Sequence, residues 1–143
     1  MNGPAAERLV KELAVKAEIL GINALNSAQK TVVVAWRAYD ELRHGGLRVL
    51  FAGASPLTAT TRSLRTLGFE AAADACRQVA AEIFPDGQEP FDLRARWALV
   101  FGVDWKRFER QRKVVHGIRS DVLTRAIGRY VETHPEAFEI PRS

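Results

Sequence analysis

The chain has 143 residues, 47% of them hydrophobic and 27% charged, with a formal net charge of +4. That length suits one domain with a real hydrophobic core and is short for two. No apolar run approaches the roughly 18–20 residues of a membrane span, and a single cysteine, Cys76, excludes an internal disulfide and a multi-cysteine metal site.

The helical period runs through almost the whole chain. Leu9, Leu13, Ala17 and Leu20 recur at helical spacing, which predicts an amphipathic helix from Pro4 to Leu20, stopped by Gly21. Residues 1–25 are expected to form a loosely packed N-terminal helix and arm. Asn26 is a good N-cap, and Gln29 three residues later completes a capping box. Ala28, Val32, Ala35, Trp36, Tyr39 and Leu42 then trace one face of a second helix that reaches Arg43. The run Val32-Val33-Val34 would suit a strand, but the longer helical pattern outweighs it.

After Gly45-Gly46, the spacing of Leu47, Leu50 and Phe51 predicts a short helix. Ser55-Pro56 reads as the next helix start, with Ser as N-cap and Pro at the first helical position. Leu57, Thr61, Leu64 and Leu67 carry that helix to Gly68. Ala72, Cys76, Val79, Ala80 and Ile83 mark the apolar face of the next helix, and "PDGQEP" at 85–90 reads as a plain loop. Asp92 caps a helix through Leu93, Trp97, Val100 and Phe101. Asp104 caps another that runs to His116-Gly117. Ser120-Asp121 opens the last helix, with Val122, Leu123, Ala126, Ile127, Tyr130 and Val131 inward, Pro135 closing it and Phe138 folding back. No segment alternates with period two. The expectation is a single all-α domain over 1–143, a bundle of about seven helices.

Chemistry is harder to find. In "RHGGLRVLFAGAS" six residues separate Gly46 from Gly53, no Lys follows, and a helix precedes, so the stretch is not a phosphate loop. It reads instead as a helix stop followed by a tight reversal. His44, His116 and His134 belong to no metal-ligand spacing. Cys76 lies among alanines, Ser27, Ser55 and Ser120 read as helix starts, and no nucleophile elbow appears. No catalytic residue, metal or cofactor is expected.

Charge gives the strongest local signal. Residues 1–90 hold 10 Lys/Arg and 10 Asp/Glu, whereas 91–143 hold 11 and 7. In "DWKRFERQRKVVHGIR", Lys106, Arg110 and Lys113 fall within about 60° of one another on an ideal helix. Together with Arg107 they form a candidate partner-binding stripe, for nucleic-acid phosphates or an acidic protein, and equally a solvated helix face.

The order of the elements resembles a bacterial DNA-mimic protein family. The stretch "YDELRHGGLRVLFAGAS" places Glu41, Gly45, Gly46 and Phe51 where that family has a helix ending in Glu, a Gly pair and an aromatic. "SLRTLGFEAAADACRQVAAEIFP", with Gly68, is similar to the following segment, and "AIGRYVETHPEAF", with Pro135, to the closing one. The likeness spans about residues 26–138. It implies an all-α fold, often dimeric, that acts by binding another protein and is not an enzyme. The best-understood activity of the family is an acidic surface that imitates the DNA backbone and occupies a transcription regulator. This chain departs from that pattern, with 21 Lys/Arg against 17 Asp/Glu, Leu47 in place of an aromatic and His44 in place of an Asn. The expectation is therefore a cytoplasmic protein-interaction domain of regulatory or immunity type, too basic to mimic DNA. The alternative is weak nucleic-acid contact through 104–119. No membrane contact is expected, and a homodimer is compatible with the resemblance.

Overall fold

The computed structural model describes residues 1–53 and 55–139. Seven α-helices follow one another: α1 (Gly3–Leu20), α2 (Ser27–Ala52), α3 (Leu57–Thr66), α4 (Glu70–Ile83), α5 (Leu93–Phe101), α6 (Glu109–His116) and α7 (Ser120–Thr133). Short 3₁₀ turns fill Ile22–Ala24, Pro85–Gly87, Trp105–Phe108 and Pro135–Phe138. No strand occurs among the described residues, and the architecture is an all-α bundle.

Local chemistry explains most of the boundaries. Asn2 Oδ1 accepts from the Ala5 N–H at 2.8 Å and starts α1. At α2, Asn26 and Gln29 exchange side-chain-to-backbone bonds of 2.9 and 3.0 Å, a complete capping box. The helix breaks at Gly46, whose φ of 73° and ψ of −160° fall in a region that essentially only Gly occupies. Beyond it a last short segment carries Leu47, Leu50 and Phe51 into the core.

Two starts differ from expectation. Ser55 does not cap α3. The N-cap position is Pro56, whose side chain carries no hydrogen-bond acceptor, and the Leu57 N–H instead donates to Glu89 Oε1 at 2.7 Å, across 32 residues of chain. The stretch 104–116 is not one helix either. Asp104 accepts from the Lys106 N–H at 3.2 Å and opens a 3₁₀ turn. Phe108 then leaves helical geometry, with φ −104° and ψ 27°, before α6 begins.

α2 is the spine of two cores. Its first half packs with α1 and α7, around Val10, Val32, Val33, Leu123, Ile127 and Val131. Its second half packs with α4 and α6, around Leu50, Phe51, Val79, Val100, Phe108 and Val115. Contact on several sides explains why Val32, Val33 and Val34 are all buried, and each such valine stabilises the fold by roughly 1.5–3 kcal/mol. The segment expected to be loose is docked. α1 buries Ala6, Val10, Leu13 and Ala17, and packs mainly along α7. Phe138 folds back onto the same core as expected.

Candidate functional site

The basic stripe is divided between two elements. Lys106 and Arg107 belong to the 3₁₀ turn, and Arg110 and Lys113 to α6, so the single-helix angle between them does not hold. All four are exposed. Arg107 is engaged, donating to Glu82 at 2.9 Å with its guanidinium 4.9 Å from the Phe108 ring centroid. Glu109 is held by Arg112, and that pair keeps its carboxyl below the usual range. Lys106, Arg110 and Lys113 have no ion-pair partner among the described residues, but Glu109 interrupts their field.

The family-marker residues lead to a different place. Gly45 leaves room for the Val49 side chain, which a Cβ there would overlap. Gly46 makes the break, Phe51 is buried against Phe84 and Trp105, Gly68 follows α3 at φ 94°, and Pro135 starts the final 3₁₀ turn. Glu41 points inward, and its carboxylate lies so close to Gly53 that a Cβ there would overlap Oε2. Opposite, from α5, comes Arg96. It ion-pairs with Glu89 at 3.1 Å, the two side chains being 8% and 17% exposed, and donates a short bond to the Gly53 carbonyl. Glu89 uses its other oxygen on the Leu57 N–H. One buried cluster thus ties the end of α2, the start of α3, the 85–90 loop and α5 together. The loop read as plain supplies its central carboxylate.

Two buried atoms of this cluster lack a hydrogen-bond partner, Glu41 Oε2 and Arg96 Nε. Burial pushes the Glu41 carboxyl up to about 7. Arg37 and Arg96 pull the other way, and Asp40 adds to the rise. Between pH 5 and 7 the folded chain therefore keeps a proton that the unfolded chain has released, so stability falls as pH rises through that window. Denaturant midpoints measured from pH 5 to 8 are expected to show a loss of about 1–2 kcal/mol, a figure reduced for a half-exposed carboxyl. Glu41→Gln should flatten the slope, and an unchanged slope in that variant would contradict the assignment.

Arg96 also decides how α5 is turned. With Arg96 and Val100 buried and Leu99 packed partly against the core, the large apolar residues Leu93, Trp97 and Phe101 face out. Leu93 is 45% exposed, Trp97 38% and Phe101 63%, and Phe91 just before the helix is fully exposed. Leu93, Trp97 and Phe101 recur every four residues and so share one face. The Trp97 and Phe101 rings lie 6.4 Å apart, and the Trp97 indole N–H is anchored on the Ala52 carbonyl at 3.0 Å. In the sequence this stripe has the pattern of a core face; in the structure it is outside.

The remaining candidates are bland. His44 and Arg43 are exposed and both contact Asp40, so they do not converge with Glu41. His134 packs on Tyr130, with centroids 4.1 Å apart. Cys76 is fully buried, and burial pushes its thiol up to about 12, far from a nucleophile. No group of three or more His, Cys, Asp or Glu among the described residues is placed to hold a metal ion. No described helix is long and apolar enough to cross a membrane.

No curated protein and no solved structure matches the chain. A family model does: the one described as DMP19-like protein matches residues 23–135, more than three quarters of the sequence. It is the DNA-mimic family that the helix, Gly-pair and helix order resembles, and its span takes in Glu41, the Gly45-Gly46 break, Gly68 and the exposed face of α5. The chain belongs to the DMP19-like protein family.

Proposed function

We propose that this chain is a cytoplasmic, non-enzymatic protein-binding domain of regulatory or immunity type, and that its contact surface is the aromatic face of α5. The observation that carries this reading is the outward stripe of Leu93, Trp97 and Phe101, joined by Phe91, on a helix locked in that orientation by Arg96. Exposed aromatic side chains on a rigid element are the kind of anchor that dominates protein interfaces. Imitation of DNA is disfavoured by the charge pattern. Asp40, Glu70, Asp74, Glu82, Glu109 and Asp121 are each ion-paired to a nearby base, so they do not form a row of free phosphate-like charges.

The test begins with capture from the native host by wild-type protein and by Phe101→Glu, followed by direct binding of the purified partner. The expected result is a partner that binds wild type and is lost with Phe101→Glu while circular dichroism stays unchanged. Phe101 is mostly exposed, so this substitution leaves the core intact. Equal binding by both proteins contradicts the reading. Sedimentation of the chain alone covers the case in which the face meets a second copy: a concentration-dependent dimer that Phe101→Glu abolishes would replace the heterologous partner by a homodimer.

A second reading, weak nucleic-acid contact, rests on the exposed and unpaired Lys106, Arg110 and Lys113. It requires salt-sensitive binding that their change to Glu removes.

A further inference from the structure

The opposing faces of α2 and α3 enclose a groove of about 420 Å³, whose lining includes none of the aromatic residues of α5. From α2 it is lined by Ser27, Lys30, Thr31, Val34 and Arg37, positions three or four apart on one helical face. From the other side come Ser55, Pro56, Ala59, Arg62 and Ser63, with Ile22 at one end. The size falls within the range of small-molecule sites, and an apolar floor with a few convergent polar groups is their usual make-up.

The charge of this groove is one-sided. Lys30, Arg37 and Arg62 line it and no Asp or Glu does. Elsewhere on the molecule several arginines are held by carboxylates, Arg65 by Glu70 and Asp74, Arg107 by Glu82 and Arg112 by Glu109, while others, such as Arg110, have no ion pair among the described residues. Arg37 and Arg62 have no ion pair and donate no side-chain hydrogen bond among the described residues. Lys30 makes one bond, to Asn23 Oδ1 at 3.2 Å, and keeps two donors. The carboxyl that acts on Arg37, Glu41, lies outside the groove against Gly53, and its raised titration weakens it as a counter-charge near neutrality. An independent feature lies in the wall. Ser63 is 6% exposed and lines the groove.

We propose that this groove is a binding site for a small organic anion, a phosphate monoester or free carboxylate with an apolar body. Its anionic oxygens take the guanidinium donors of Arg37 and Arg62, as forked, charge-assisted hydrogen bonds. Its apolar part lies on Val34, Ala59 and Pro56, and the Ser63 hydroxyl supplies a polar contact in the wall. The apolar floor favours a small molecule over a nucleic-acid backbone, which would need only an open cationic track. The site is separate from the α5 surface, so either proposal stands or falls without the other.

Amide NMR titration with phenyl phosphate, with inorganic phosphate and with benzyl alcohol tests it. Phenyl phosphate is expected to shift Val34, Ala59 and Ser63 saturably, with a Kd of ~0.1–1 mM. Phosphate alone should bind more weakly at the same residues, and benzyl alcohol should not saturate. Arg37→Gln and Arg62→Gln are each expected to weaken binding about tenfold. Ala59→Trp, which fills the groove and leaves all three cations in place, should abolish it, and Phe101→Glu should bind as wild type. Absence of saturable shifts with phenyl phosphate overturns the proposal. So do equal affinities in the Arg variants, or a response to a short oligonucleotide that Ala59→Trp leaves intact.

Discussion

Arg96→Ala is expected to lower the folding stability by about 3–5 kcal/mol, the usual result of removing one partner from a buried ion pair. The reason is what the substitution leaves behind. Glu89 keeps its charge at 17% side-chain exposure, with only the Leu57 N–H to hold it. Glu41, already reluctant to ionise, loses one of the two cations that favour its charged form. The Gly53 carbonyl loses its donor. Urea denaturation at pH 7 checks the magnitude, and a loss under about 1 kcal/mol would mean that the cluster is solvated and not buried. Adding Glu41→Gln to Arg96→Ala should recover part of the loss, because one uncompensated acid is removed. Arg96→Lys should fall between wild type and Ala, since it keeps the charge but cannot reach Glu89 and Gly53 with separate nitrogens of a planar fork.

Gly53→Ala is expected to cost about 1–3 kcal/mol through overpacking alone. Its backbone, at φ −70° and ψ 174°, is one that any residue adopts, so no conformational strain contributes. The added Cβ meets the Glu41 carboxylate. The effect should therefore depend on the partner: in a Glu41→Ala background, where the space is open, the same substitution should cost less than about 0.5 kcal/mol. A double-mutant cycle that came out additive would place the Glu41 side chain elsewhere.

Local signals in the sequence were sufficient for the helices. The Asn26–Gln29 box, the Gly46 break, the Asp92 cap and the periodic faces of α1, α4 and α7 act over a few residues, and each produced the expected element. What failed depended on distant contacts. Ser55 looked like a cap because Ser before Pro usually is one, yet the carboxylate that serves the Leu57 N–H comes from Glu89. Asp104 to His116 had one continuous helical pattern, and the break at Phe108 lies where that ring enters the core beside Trp105.

The candidate site was legible only in part. Glu41 stood out through the family pattern, but Arg96, whose charge acts on it, lies 55 positions on, in "LRARWALVF", where an apolar context suggested nothing beyond a buried helix. The same context hid the orientation of α5. Period alone assigns Leu93, Trp97 and Phe101 to a core face, and only the burial of the intervening Arg96 guanidinium turns them outward. A second Arg, two residues after Arg94, amid the apolar residues of a short helix was the available clue. The four basic residues singled out for partner contact are indeed at the surface, but on two elements instead of one.

The α5 surface is tested most directly by the affinity of the purified partner for wild type, Phe101→Glu and the triple change of Lys106, Arg110 and Lys113 to Glu, each at low and high salt. Phe101→Glu is expected to weaken binding by at least ~30-fold, about 2 kcal/mol, while the triple variant stays near wild type and salt has little effect. Tight binding by Phe101→Glu, together with loss in the triple variant and a steep salt dependence, would contradict the aromatic face and move the interface to the basic one.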